Sequence, residues 1–227
     1  MELNLIESFL LLALDSKKGK FLTDPLAINH GLAGATLMKL AITNKIEIKK
    51  RRVYVVDNTP LGVDYIDRML SYIYSSRKNR KVKYWVNRLA SKWREMRIDL
   101  FDSLIHKGIL TRERRKFLGL FPYTIYPVED LTPVLELHNK LRRIVDGEEK
   151  VNAKSLMLFS LLESTKLTRV LFSSRSEYKK GKKRIDELTK DFDTSSFIHV
   201  TIKEVCAVVI TASTSAAIKA SIDKETI

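Results

Sequence analysis

Two arginines spaced as neighbours on a helix are the strongest candidates for chemistry in this sequence. Arg94 and Arg97 are three residues apart in a segment that is predicted to be helical, so both guanidinium groups project from one face. Guanidinium groups bind phosphate through charge-assisted, often bidentate hydrogen bonds. The pair is also predicted to lie at the start of a helix, where a bound phosphate would relieve the repulsion between these cations and the helix macrodipole.

The arginine pair belongs to the most densely charged part of the chain. The segment that begins at Arg77 and ends at Arg97 contains nine basic residues and one acidic residue, a net charge of +8 in 21 residues. A surface that is merely soluble usually mixes both signs of charge. Tyr84, Trp85 and Trp93 interleave with the cations, which suits anchoring at a membrane interface and stacking on nucleic acid bases equally well.

A second segment combines basic and apolar residues in a predicted hairpin between residues 110 and 128, with Pro122 near its turn. Its expected electrostatic contacts with a membrane are Arg114, Arg115 and Lys116. Its expected tip is apolar and consists of Phe117, Leu118, Leu120 and Phe121. Such a tip beside a basic stalk is typical of insertion into an anionic bilayer. The alternative is that this loop folds back into the core or forms an oligomer contact.

Composition limits the other functions. The 227 residues include 41 Lys and Arg against 27 Asp and Glu, a charge of +14 that favours a polyanionic partner. The single cysteine, Cys206, excludes an intramolecular disulfide framework and favours a reducing, cytoplasmic compartment. A phosphate-binding glycine loop, a nucleophile elbow and a zinc-binding helix motif are all missing from the sequence. We therefore expect a non-enzymatic protein with no cofactor and no metal site.

The apolar runs are too short to span a bilayer, so any membrane association is expected to be peripheral. Hydrophobic periodicity predicts a mainly α protein with two short β-hairpins, and residues 1–227 are expected to form a single domain. The predicted hairpins cover residues 46–56 and 110–128. The predicted helices cover residues 3–14, 25–41, 63–74, 82–89, 92–106, 132–145, 153–164, 174–191 and 202–222. The first helix is apolar nearly all round and should be central.

Three segments resemble the Golgi phosphoprotein 3 family, peripheral membrane proteins that recognise phosphatidylinositol 4-phosphate. They are LNLIESFLLLALD at residues 3–15, GLAGATLMKLA at residues 31–41, and REMR at residues 94–97 followed by LIHKGILT at residues 104–111. The resemblance implies a helical bundle ringed by amphipathic helices. It also implies phosphate binding by Arg94 and Arg97, membrane insertion of residues 117–121, and cytosolic tails of membrane proteins as partners.

The chain departs from the eukaryotic members of that family at two positions. Those members use a tryptophan just before the second helix and an arginine within it, where this chain has Asp24 and Ala33. Asp24 would repel a phosphate, so the sequence favours broader binding to anionic lipids over strict selectivity. Lys20 and the basic hairpin tip at residues 49–52 are other sources of positive charge.

Two alternatives remain beside the peripheral membrane protein. The first is a nucleic-acid-binding protein that uses the segment from Arg77 to Arg97, with strongly salt-dependent binding. The second is a self-assembling adaptor in which the apolar hairpin docks into a neighbouring subunit. The first accounts for the charge but not for the apolar tip.

Overall fold

The computed structural model describes residues 2–118, 120–191 and 197–225, and it confirms the mainly α fold class with two small β-hairpins. The helices are α1 (Leu5–Leu12), α2 (Pro25–Ile42), α3 (Asp64–Ser75), α4 (Val82–His106), α5 (Thr132–Asp146), α6 (Ala153–Ser164), α7 (Arg175–Asp191) and α8 (Phe197–Glu225). The strands are β1 (Ile46–Lys49), β2 (Arg52–Val55), β3 (Glu113–Phe117) and β4 (Phe121–Ile125). A 3-10 turn covers Thr168–Leu171.

Helix α1 is central, as its all-round apolar sequence predicts. All eight of its residues are buried. It begins in a capping box, because the Asn4 side chain accepts hydrogen bonds from backbone N–H groups of the first turn while Glu7 accepts from the Asn4 backbone. The helix packs on α2 and α6 within the hydrophobic core.

Helix α2 packs against α1, α4 and α8, and two glycines allow this close packing. A Cβ atom at Gly31 would lie 2.3 Å from the ring of Phe9 on α1. A Cβ atom at Gly34 would lie 3.1 to 3.2 Å from side chains of α6 and α8, among them Val205 and Val209. The two glycines therefore allow different helices to pack closely on α2: Gly31 faces α1, and Gly34 faces α6 and α8.

Helix α4 corrects the prediction of two separate helices at residues 82–89 and 92–106. It is one helix of 25 residues, because Leu89, Ala90 and Trp93 form a continuous buried stripe across the expected break. Arg94 and Arg97 consequently lie in the middle of a helix. The prediction that they lie at its start was wrong. Trp85 and Trp93 are also buried, so neither indole is available at the surface.

Both hairpins form as antiparallel pairs. Strand β1 opposes β2 from Ile46 with Val55 to Lys49 with Arg52, around a two-residue turn in which Lys50 and Arg51 both have positive φ. Strand β3 opposes β4 from Glu113 with Ile125 to residue 117 with residue 121. The second hairpin thus has the turn that the sequence predicts.

The outer helices are amphipathic and cover the central ones. In α5, for example, Val134, Leu141 and Ile144 are buried, while the opposite face carries charged residues. The last helix begins at Phe197, five residues earlier than its apolar run predicts. Within the described part of the chain, none of the helices combines the length and hydropathy that crossing a membrane requires.

Candidate anion-binding site

A cavity of about 510 Å³ lies where the middle of α4 meets the segment before α2 and the end of the second hairpin. Arg94 and Arg97 both line it, so the structure brings the predicted pair together at one site. Further lining residues are Gly19, Lys20, Phe21, Thr23, Pro25, Ile98, Phe101, Thr124 and Tyr126. The two arginines line the same cavity because positions i and i+3 share one face of a helix.

The guanidinium group of Arg97 is half-buried and incompletely satisfied. Its Nη1 atom is buried and has no hydrogen-bond partner. Its carbon lies 5.2 Å from the centroid of the Phe21 ring, a cation–π arrangement. Partial burial is the main influence that lowers the pKa of the Arg97 side chain, with Tyr126 acting in the opposite direction and Arg94 adding to the lowering. A buried donor without a partner favours an anion at this position.

The arginine pair also lacks acidic partners. Neither Arg94 nor Arg97 forms an ion pair with any carboxylate that the structure describes. Several other arginines of the chain do, including Arg68 with Asp99 and Arg112 with Asp102. The two cations in the cavity are therefore available to a ligand.

Three aromatic residues wall the cavity, and sequence reasoning missed them. The rings of Phe101 and Tyr126 stack with their centroids 3.8 Å apart, and the Phe21 centroid lies 6.2 Å from that of Phe101. The sequence did indicate one of the three, because Phe101 follows Arg97 by four residues and must lie on the same face of the helix. Phe21 and Tyr126 belong to distant segments, so only the fold brings them here.

Lys20 adds a third cation at the mouth of this cavity. Its ammonium nitrogen lies 5.0 Å from the centroid of the Tyr123 ring. Asp24, in contrast, is absent from the cavity lining and caps α2, since its Oδ1 accepts a hydrogen bond from the backbone N–H of Leu26 at 2.7 Å. Ala33 is fully buried in the core and provides no positive charge.

The basic stalk of the second hairpin divides between its two faces. Arg114 opposes Thr124, which lines the cavity, and Lys116 lies on that same face of the ribbon two residues further along. Arg115 is on the other face and forms an ion pair with Glu113 at 2.7 Å. Of the three predicted membrane contacts, Arg114 and Lys116 therefore lie on the face that leads to the cavity.

The tip of the second hairpin is apolar and exposed. Leu118 and Leu120 are each 76% exposed and Phe121 is 63% exposed, so these three side chains do not fold back into the core. The Phe117 side chain lies outside the part that the structure describes, although its backbone pairs with Phe121. Large exposed apolar groups close together are typical of an interaction surface.

These features define a mainly α protein with a cationic cavity at the base of an exposed apolar hairpin. Comparison with known proteins identifies its family, because the family model for Golgi phosphoprotein 3 (GPP34) matches residues 5–209. The chain belongs to the Golgi phosphoprotein 3 family, as its sequence motifs indicate. It is similar to the vacuolar protein sorting-associated protein 74 of Schizosaccharomyces pombe, with 25% identity over an alignment 234 residues long. The alignment covers 86% of this chain and 68% of that protein.

Proposed function

We propose that this protein is a non-enzymatic peripheral membrane protein of the cytoplasm that binds anionic phospholipid headgroups. In this proposal Arg94 and Arg97 bind the phosphate, with Lys20 as the third cation. The observation that carries the proposal is the buried Nη1 of Arg97, which has no hydrogen-bond partner at the wall of a cavity with no described acidic lining residue. Residues 1–227 would act as a single domain, since buried residues from Leu3 to Val209 form one core cluster.

The two arginines would contribute to phosphate binding in different ways. Phe21 holds the Arg97 guanidinium in place, so this group is oriented before the ligand arrives. Arg94 is exposed and can move to meet a second phosphate oxygen. An anion between them would offset the burial that lowers the pKa of Arg97.

The second hairpin would place the headgroup at the membrane surface. Its tip would insert Leu118, Leu120 and Phe121 into the acyl boundary, while Arg114 and Lys116 contact neighbouring anionic headgroups. Strand β4 connects this tip to Thr124, which lines the cavity, so insertion and headgroup binding would occur together.

Family membership makes phosphatidylinositol 4-phosphate the first headgroup to test. Phosphatidylserine is the natural comparison, because Ala33 leaves the chain without the arginine that eukaryotic members carry there. Lys20 lines the same cavity and would supply part of the missing charge. We infer binding to both lipids, with the greater affinity for the more highly charged headgroup.

Vesicle co-sedimentation at about 0.15 M salt tests this proposal. Wild type is compared with the double variant Arg94→Ala/Arg97→Ala on neutral vesicles and on vesicles containing phosphatidylserine or phosphatidylinositol 4-phosphate. Each basic residue near an anionic leaflet contributes about 1 kcal/mol, so binding to both anionic vesicles should fall about tenfold or more. Lys179→Ala/Lys180→Ala removes the same charge from exposed positions of α7 and should bind nearly as wild type does. Equal binding by the arginine variant and this control would reject the site.

Self-assembly is a second candidate function, because the exposed hairpin tip is also a surface on which a neighbouring subunit could dock. Light scattering would then show an oligomer that dissociates when Leu118 and Leu120 are made polar. The nucleic-acid alternative is weaker, since Trp85 and Trp93 are buried and only Tyr84 of the three interleaved aromatic residues is exposed for stacking on bases. Binding to cytosolic tails of membrane proteins is a proposal that rests on family membership alone.

A further inference from the structure

A second and larger cavity, of about 1070 Å³, lies on the other side of the α2 N-terminus. It is bounded by the start of α2, the tip of the first hairpin, the start of α4 and the middle of α8. Its basic lining residues among those described are Lys50, Arg51, Arg52, Lys81, Lys83 and Lys203. One described carboxylate, Glu204, lines it and pairs with Arg51 at 3.6 Å.

The cations of this cavity come from separate parts of the chain. Lys50 lies at the first hairpin turn, Lys83 at the start of α4, and Lys203 on α8. All three side chains are exposed. Like charges that the fold gathers in one concave surface repel one another, and they raise the local concentration of anions. The cavity therefore favours an anionic ligand.

The start of α4 adds to the positive potential. Lys81 is the N-cap residue and makes no side-chain cap hydrogen bond, and the first turn contains no acidic residue. Cations in this position oppose the helix macrodipole. The sequence predicted that Arg94 and Arg97 oppose the dipole at the start of a helix. Because the helix begins at Val82, Lys81 and Lys83 are the cations that do so.

The two cavities lie along the same side of α4. Asn87 lines the second and Arg94 lines the first, and residues seven apart share a helix face about 10 Å apart along the axis. Pro25 lines the first cavity and Leu26 the second, so only the first turn of α2 separates them. Leu26 is 47% exposed on this divide.

We propose that the second cavity binds another anionic phospholipid headgroup, so that the protein holds two headgroups of one membrane at once. This inference rests on the proposed function. An anionic bilayer offers phosphates to both cavities and an apolar boundary to the exposed Leu26 between them, whereas a nucleic acid backbone offers charge alone. Two sites on one rigid surface also raise overall affinity, because the second headgroup binds at a high effective concentration.

The experiment uses Lys83→Ala/Lys203→Ala, which removes one lining cation from each of two helices, α4 and α8. Neither lysine forms an ion pair with a described residue, and circular dichroism with thermal melting verifies that the variant folds. Vesicle binding is measured over a series of phosphatidylserine contents for this variant, for Arg94→Ala/Arg97→Ala and for the charge-matched Lys179→Ala/Lys180→Ala. We expect about tenfold weaker binding by the Lys83/Lys203 variant, and a less steep dependence on phosphatidylserine content.

The outcomes separate the two proposals. If the Lys83/Lys203 variant binds as the Lys179/Lys180 control does and the Arg94/Arg97 variant binds weakly, the second headgroup site is rejected while the first stands. If it binds weakly and the Arg94/Arg97 variant binds normally, the second cavity is a headgroup site and the proposed function has the wrong arginines. If vesicle binding is unchanged but binding to a soluble poly-glutamate peptide is lost, the cavity takes acidic peptides and the lipid inference is overturned. Wild type that binds no vesicle rejects both proposals.

Discussion

The Arg97 guanidinium group lies over the ring of Phe21, 5.2 Å from its centroid, with one terminal nitrogen buried and without a hydrogen-bond partner. The two residues are 76 positions apart in the sequence and meet only because the segment before α2 packs on the middle of α4. A buried donor without a partner costs stability, and it is this feature of Arg97 that supports the proposed binding of an anion.

Replacement of Arg97 by Met should therefore separate binding from stability. The variant removes a buried donor that has no partner, so the free energy of unfolding should be unchanged or higher by up to about 1 kcal/mol. Binding to anionic vesicles should fall several-fold. Urea denaturation and vesicle co-sedimentation measure the two effects. A loss of more than about 2 kcal/mol in stability would mean that the Arg97 side chain is mainly a structural contact.

The apolar hairpin tip should be needed for membrane binding but not for folding. Leu118→Ser/Leu120→Ser alters two side chains that are each 76% exposed, so the melting temperature should stay close to that of wild type. Vesicle binding should fall at least tenfold, because the proposed insertion would lose two leucine side chains. Leu135→Ser is the control, since Leu135 is 55% exposed and belongs to α5 rather than to the hairpin. Equal binding by both variants would argue against insertion.

The buried ion pair between Glu7 and Lys107 should be important for stability. Glu7 is 1% exposed, and its Oε1 accepts a hydrogen bond from the Lys107 ammonium at 2.6 Å. Lys107→Met would leave a buried carboxylate without its counter-charge and should lower the free energy of unfolding by about 3 kcal/mol. Lys18→Met, at an exposed lysine 4.0 Å from Asp15, should have little effect. Similar melting temperatures for the two variants would contradict this role for Lys107.

Acid should remove one identifiable contribution to stability. The hydrogen bond from Lys45 and those from Thr59 lower the pKa of Asp57 from 3.8 to about 2. A carboxyl group with a lower pKa in the folded state stabilises it above the unfolded pKa and loses that effect as pH falls through the folded pKa. Stability should therefore fall between pH 3.8 and about 2. Asp57→Asn should reduce this slope in urea denaturation curves, and an unchanged slope would exclude Asp57 as its source.

The fold class was predictable because its signals are local. Helix α6 begins and ends at the residues predicted from the sequence, 153 and 164, and α1 is as central as its apolar sequence suggests. The second hairpin follows from a loss of helical period around Pro122. Where the prediction failed, at the break expected within α4, polar surface residues masked a buried stripe that continues through Leu89 and Trp93.

The candidate site was predictable only in part, for a related reason. Arg94 and Arg97 share a face through helical geometry, which a sequence shows directly. Their aromatic neighbours Phe21 and Tyr126 come from distant segments, so no local pattern connects them to the arginines. The sequence also left open which further cation accompanies the pair. In the structure Lys20 lines the same cavity as Arg94 and Arg97, whereas residues 50–52 line the other cavity.

Most of the helical and hairpin elements, the excess of positive charge and the apolar hairpin tip can be read from the amino-acid sequence, because each depends on composition or on residues close along the chain. Three properties become visible only in the folded protein: the indole rings of Trp85 and Trp93 are buried, Arg97 has a buried nitrogen without a partner, and the cations line two separate cavities. Those properties depend on which segments pack together, and packing brings together residues that no local spacing relates.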